Sequence, residues 1–453
     1  MSVLVEYIKQ FARFQRNARL YLISNALSGV TVGIILVLYN LYIVSLGYDT
    51  AFVGFMLSVA TLGAGLGIFP AGLCFDRLGG KLILIWGSVA LSIAGMGQLL
   101  LRDPLPLLLS GFIAGVAGAF ILVVNAPFLT HNSTVTERSV LFSLNIVLLL
   151  IPTVLGKLIG GMLPLWFSST PWLMARLPFW LDGLLASQPL ARSYQLTMLF
   201  AGIMAVPSFI PLFLMDDDCP LRSSSSGPTG KIPLNVQRWR EKALVAVQRW
   251  QNIPLRASLS SPIATLVIVQ ALIGLGAGLF IPYFNVYFVK ALAASPALFG
   301  TIDGAATTID ALLILLAPWL AARIGQINTI TITRLLALPL LLTIGLSHLL
   351  PLVAVLYLFR QGMMGMATGI FQVFSMEAIV KPHRGFANSV YQIVSQGSWA
   401  VTAPLGGLII ARMGYTPIFL IGAIFYLAAI VLLWVRFGRG VGERLAMQNE
   451  KGS

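Results

Sequence analysis

The sequence predicts an all-helical membrane protein of two six-helix bundles related by pseudo-two-fold symmetry, and three observations predict it. The first is composition. Of 453 residues, 58% are hydrophobic and 10% charged, with a mean hydropathy of +0.89, whereas soluble chains are about one quarter charged. The second is the recurrence of mainly apolar runs of about 20 residues, the length a helix needs to cross a bilayer core. The third is an internal repeat: residues 51–80 lie over 297–326 without a gap, so that Gly54 meets Gly300, Arg77 meets Arg323 and Gly79 meets Gly325, each 246 apart. The same offset joins Arg138 to Arg384 and Gly160-Gly161 to Gly406-Gly407, while 39–44 matches 284–289 at 245. Such self-similarity marks a duplicated unit.

In chain order, residues 1–18 read as an amphipathic lead-in, its apolar residues broken by Lys9, Arg13 and Arg16, with no cleavage site of a signal peptide. The first bundle, 19–215, holds spans near 19–46, 51–73, 82–101, 106–130, 139–165 and 194–215. Residues 216–260 form a polar linker that opens with the flexible composition DDDCPLRSSSSGPTG. Its continuation, PLNVQRWREKALVAVQRW, suits a helix on the membrane surface or a plain tether. The second bundle, 261–436, holds spans near 261–288, 297–320, 328–347, 351–376, 386–411 and 416–436, and 437–453 is a tail. The connection after the fifth span is 33 residues from Gly161 to Tyr194 but 8 from Gly407 to Tyr415. The extra stretch carries Trp166, Trp172 and Trp180, which suit a membrane interface, and it serves as an anchor or as a lid.

Charge orients the spans. With both termini cytoplasmic, the inner segments collect twenty-two of the 29 Lys and Arg residues and the outer ones five, leaving Lys157 and Arg360 inside the membrane. That is the positive-inside bias, and it accounts for a pI of 10.1 without nucleic acid. Cys74 and Cys219 form no disulfide or metal framework. Phosphate-binding loops, H-E-x-x-H and G-x-S-x-G are absent from the sequence, so neither an enzyme nor a cofactor is expected.

Between the second and third spans, Gly72-Leu-Cys-Phe-Asp76-Arg77-Leu-Gly79-Gly80-Lys81 resembles the loop signature G-x-L-x-D-R-x-G-R-K of the major facilitator superfamily. Gly80 replaces its arginine. Gly156-Lys157-Leu-Ile-Gly160-Gly161 in the fifth span is similar to the antiporter pattern G-P-x-x-G-G, with Lys157 in place of proline. The resemblance covers all twelve spans. It implies that spans 1, 4, 7 and 10 line a central cavity, that spans 5 and 8 meet across the halves, and that Asp76, beside Arg77, latches onto the start of span 11 near Gly385.

Ionisable groups inside a span cost about 2.5–3.5 kcal/mol on insertion scales, so they mark function or a partner. Four stand out: Lys157 in span 5, Asp303 and Asp310 in span 8, and Arg360 in span 10. Asp303, Thr307 and Asp310 fall at i, i+4 and i+7, on one helix face. Lys157 and Asp303 each lie six residues, about 9 Å, from their span ends. Equal depth favours their pairing across the halves, and Arg360 is placed to reach Asp310. Neutral candidates for solute binding are Tyr39, Asn40, Asn125, Gln270, Tyr283, Asn285 and Tyr287, with interhelical packing as the competing role. The expected function is alternating-access transport of a small, amphipathic organic solute, leaning to efflux, by a monomer coupled to protons or sodium. Uptake of an organic anion on Arg360 and Lys157 is the alternative, and a non-transporting receptor or scaffold is a third.

Overall fold

The computed structural model describes residues 11, 14–134, 137–171, 175, 183–218, 262–377 and 384–438. Twelve helices long and apolar enough to cross a membrane occur among them, and no strand. In chain order these are α1 (Arg16–Ser45), α2 (Thr50–Leu78), α3 (Gly80–Leu100), α4 (Pro104–His131), α5 (Arg138–Ser168) and α6, which runs over Pro189–Ala205 and continues through a short 3-10 turn to Phe213. The second half has α7 (Pro262–Phe280, with irregular turns to Ala291), α8 (Pro296–Ile324), α9 (Gln326–Leu346), α10 (Leu350–Glu377), α11 (Arg384–Met413) and α12 (Thr416–Phe437). In the interior of a helix every backbone group is satisfied within it, which is what a hydrocarbon solvent demands. Large apolar side chains such as Leu66, Trp86 and Leu315 point outward, where lipid replaces water.

The repeat is visible in how the helices start and turn. Asp49 caps α2 by accepting from Phe52 N at 2.8 Å, and Ser295, 246 residues later, caps α8 by accepting from Leu298 N at 3.1 Å. The turns that follow those two helices pass through Gly79 (φ 77°) and Gly325 (φ 85°), angles that glycine adopts without a Cβ penalty.

Buried apolar side chains gather in three clusters. One is shared by the two halves and joins Tyr42, Val53 and Met56 to Tyr283, Phe288 and Phe299. It lies toward the end bearing the turns at 46–49, 292–295, 347–349 and 414–415. At the opposite end each half has its own: Leu22, Phe128 and Leu212 in the first, Leu266, Phe371 and Phe437 in the second.

Several boundaries differ from the sequence expectation. α6 begins at Pro189 rather than 194, because the polar residues that depress hydropathy there are buried and satisfied. Arg192 donates to the carbonyls of Ala175 and Ala186, both at 2.8 Å, and Gln195 bonds to Leu99, Leu184 and Ala186. These contacts bind the described part of the inserted connection to the start of α6; Trp172 and Trp180 lie outside the described residues. The linker expectation also changes at its beginning. Asp216 pairs with Arg16 at 2.7 Å, and Asp218 accepts from Gly80 N at 2.8 Å and Lys81 N at 3.0 Å. A carboxylate at the positive end of α3 is favourable, so Asp216–Asp218 belong to the first bundle, and 219–261 lie outside the described residues.

Asp218→Ala removes the cap on two otherwise orphaned N–H groups and is expected to cost about 1 kcal/mol. A lowered thermal unfolding midpoint of the purified protein is the measurement that checks it.

Candidate functional site

The halves touch through two symmetry-related helix junctions, and glycine makes both possible. α5 lies so close to α1 that a Cβ on Gly33 would stand 2.2 Å from Thr153 O, and one on Gly156 would stand 2.1 Å from Val30 O. On its other side, a Cβ on Gly300 of α8 would stand 2.4 Å from Lys157 O, and one on Gly161 would stand 2.7 Å from Pro296 O. The second junction repeats this between α2 and α11. A Cβ on Gly54 would stand 2.5 Å from Ala403 O, and one on Gly407 would stand 2.1 Å from Thr50 O. Small residues let helix backbones approach in a membrane. The paired glycines divide the work: Gly160 and Gly406 face their own half at Ile34 and Leu279, whereas Gly161 and Gly407 face the other.

The two junctions differ in charge. Position 157 is Lys and its repeat mate is Ala403. Lys157 Nζ lies 2.8 Å from Asp303 Oδ2 and donates to Thr307 Oγ1 at 2.6 Å. The other carboxylate oxygen of Asp303 accepts from the Tyr357 hydroxyl at 2.8 Å. The pair is largely buried, with side-chain exposures of 9% and 14%. Removing one partner of such a pair typically costs about 3–5 kcal/mol, because a charge is left behind. In the other junction Thr50 donates to Gly407 O at 2.9 Å and Ser58 to Ala400 O, while within the second half Tyr283 donates to Ala403 O.

Asn40 and Asn285 sit where α1 crosses α7. Asn40 Nδ2 donates to Pro282 O at 2.6 Å, and Asn285 Nδ2 donates to Val37 O at 3.1 Å. The two side chains also meet each other at 3.4 Å. Residues equivalent in a repeat touch only on its symmetry axis, so this contact marks the axis. The bond to Pro282 O satisfies a carbonyl where α7 breaks its regular winding, as irregular backbone at membrane depth requires.

The remaining sequence candidates scatter. Tyr39 packs against Met56, and Tyr287 donates to Ile344 O at 2.6 Å within the second half. Asn125 belongs to a network missed in the sequence: Asn25 Nδ2 donates to Asn145 Oδ1 at 2.8 Å, and Asn145 donates to Asn125 at 3.4 Å. The three lie on α1, α5 and α4. Gln270 is half-buried. Asp76 and Arg77 occupy the last turn of α2; the Asp76 side chain and the α11 residues it was expected to latch onto lie outside the described side chains.

Arg360 does not pair with Asp310. Its guanidinium lies over the rings of Phe280 at 4.8 Å and Phe284 at 5.5 Å, on the α7 side of α10. Asp310 packs instead against Gly365, where a Cβ would fall 1.6 Å from Oδ1. Five residues of helix rotate a side chain by roughly 140°, so similar depth does not give a shared face. Arg334, counted from sequence among the inner-side cations, also lies inside its span and is 4% exposed.

Two six-helix halves, meeting through glycine junctions and the buried Lys157–Asp303 pair, define the class of carriers built from repeats. The family model described as Major Facilitator Superfamily matches residues 21–265 and 266–450, and the chain belongs to that family of transporters. No curated protein matches the sequence. Solved structures share the fold at low identity. A bacterial homologue of the human lysosomal transporter Spinster, inward-facing and occupied, is 12% identical with a TM-score of 0.69, over 95% of this chain and 97% of that one. The nucleoside transporter NupG is 16% identical with a TM-score of 0.65, over 93% and 98%. The xylose transporter XylE from E. coli, inward open, is 13% identical with a TM-score of 0.65, over 91% and 95%.

Lys157→Met strands Asp303 and is expected to destabilise the protein by about 3 kcal/mol. Lys157→Met combined with Asp303→Leu should cost clearly less than the sum of the single changes. Denaturation of the four proteins checks this, and additive costs would contradict the pairing. Gly161→Val overpacks the α5–α8 contact and should weaken it by about 1–3 kcal/mol. Spin labels at Ser169→Cys and Leu349→Cys, one in each half, should then report a longer distance.

Proposed function

We propose that the protein carries a small, neutral or amphipathic organic solute by alternating access, with the Lys157–Asp303 pair locking the closed side. One observation carries the reading. The halves share a single apolar core at one end and have separate cores at the other, as two bodies do that rock about a midplane site. Hydrogen bonds between the halves, where both partners are described, all fall toward the shared end. Supporting it, a Cβ on Gly72, Gly118, Gly369 or Gly397 would meet nothing within 4 Å, which leaves room beside α2, α4, α10 and α11.

The charge distribution favours a solute without a strong anionic group in that space. Lys157 is taken by Asp303 and Thr307, and Arg360 is 1% exposed, so neither presents its charge to that space. Of the two coupling ions, the proton fits better. Asp303 faces Lys157 on α5 and Tyr357 on α10, with Asp310 two turns along its own helix. A metal ion there would have to displace the Lys157 ammonium already seated on Asp303 at 2.8 Å. The positive-inside bias supports a cytoplasmic position for both termini, with the closed end facing outward.

Solute flux into proteoliposomes reads both activity and direction, and a protein that binds but moves nothing would favour the receptor alternative. Asp303→Asn, which removes the charge that holds Lys157, should lengthen the distance between labels at Ser169→Cys and Leu349→Cys. For orientation, with Cys74 and Cys219 replaced by serine, Ser187→Cys should react with an impermeant thiol reagent in intact cells. Asn328→Cys should react only after permeabilisation; the reverse pattern overturns the assignment.

A further inference from the structure

The second half contains two buried arginines that no carboxylate among the described residues pairs with. Arg334 on α9 is 4% exposed and Arg360 on α10 is 1% exposed. Counted from the ends of α9 and α10 that share one side, they lie 12 and 10 residues in, about 18 and 15 Å deep. Arg334 lies 5.0 Å from the Phe371 ring centre, and Arg360 lies over Phe280 and Phe284. A ring takes the face of a guanidinium and leaves its in-plane N–H donors unused. Five of those nitrogens, Nε and Nη1 of Arg334 and all three of Arg360, are buried, and the protein offers them at most the Tyr426 hydroxyl. That hydroxyl, buried as well, stands beside both guanidiniums and close enough to Arg360 for a side-chain hydrogen bond. Tyr426 is held in place by α7, where a Cβ on Gly276 would fall 2.9 Å from its ring.

Among the described residues no carboxylate of the surrounding helices makes an ion pair with either arginine. α7, α9, α11 and α12 contain no Asp or Glu. On α8, Asp303 is taken by Lys157 and Tyr357, and Asp310 faces Gly365. Glu377 lies 17 residues along α10 from Arg360, about 25 Å away. Two like charges with unused donors in a low-dielectric bundle call for an anion with several acceptor oxygens, which guanidinium forks fit.

We propose that Arg334, Arg360 and Tyr426 form an anion site inside the second bundle, taking one small oxyanion. The oxyanion comes either from free inorganic phosphate or from the acidic group of an organic compound. The site is separate from the Lys157–Asp303 lock, and its test needs no transport.

The test is thermal unfolding of the purified full chain in sodium phosphate or sodium benzoate, each referred to sodium chloride at equal ionic strength. The native protein should gain a saturable rise in midpoint. A rise with phosphate assigns the free ion, and a rise with benzoate alone assigns an organic acid. Combined Arg334→Met and Arg360→Met should abolish it. Should that variant fail to fold, Arg334→Lys or Arg360→Lys alone keeps the charge and loses the fork, and should raise the half-saturating concentration about ten-fold. No rise in the native protein, the same rise in the Met variant, or unchanged half-saturation in both Lys variants overturns the site.

Discussion

Backbone contact between the halves is the constraint on which the rest of this structure depends. At both junctions the helices approach so closely that a single methyl group would collide with a carbonyl oxygen of the other half. This closeness brings Lys157 within ion-pair reach of α8, because its own carbonyl is the group against which Gly300 packs. It also aligns Thr50 and Ser58 with carbonyls of α11. Few side-chain atoms intervene, so a small separation would break several of these polar contacts together. Such cooperativity is what a two-state gate requires.

Duplication supplied two equivalent junctions, and their chemistry has diverged. One is ionic, with Lys157, Asp303 and Thr307; in the other the corresponding positions are Ala403, Leu57 and Thr61. The backbone contacts survive in both, since glycine spacing decides how near the helices come. Charge is concentrated in one of them. The second half carries the further asymmetry: Arg334 and Arg360 are buried there with their donors largely unused, whereas α1, α4 and α5 of the first half share a network of neutral asparagines.

Much of the site was legible in the sequence where the argument needed only depth. Lys157 and Asp303 lie equally far from their span ends, and once α5 and α8 adjoin, equal depth is nearly enough for two flexible side chains to meet. The same reasoning failed for Arg360 and Asp310, because each is turned toward a different neighbour. Asp218 was hidden by composition: an acidic run beside Ser and Pro reads as solvated linker, yet its third carboxylate caps α3. Asn145 was invisible as part of a network, since its partners are 120 and 20 residues away.

By itself the sequence determined the solvent, the twelve spans, the duplication and the family, because hydropathy, span length and repeat offset are one-dimensional properties set by composition and order. The tertiary structure decided which repeat-related residues meet on the axis and which glycine of each pair faces the other half. It also decided which buried cations find a partner. Those outcomes depend on the rotation of each helix about its own axis, and that rotation is set by packing against all its neighbours at once, a quantity no single span encodes.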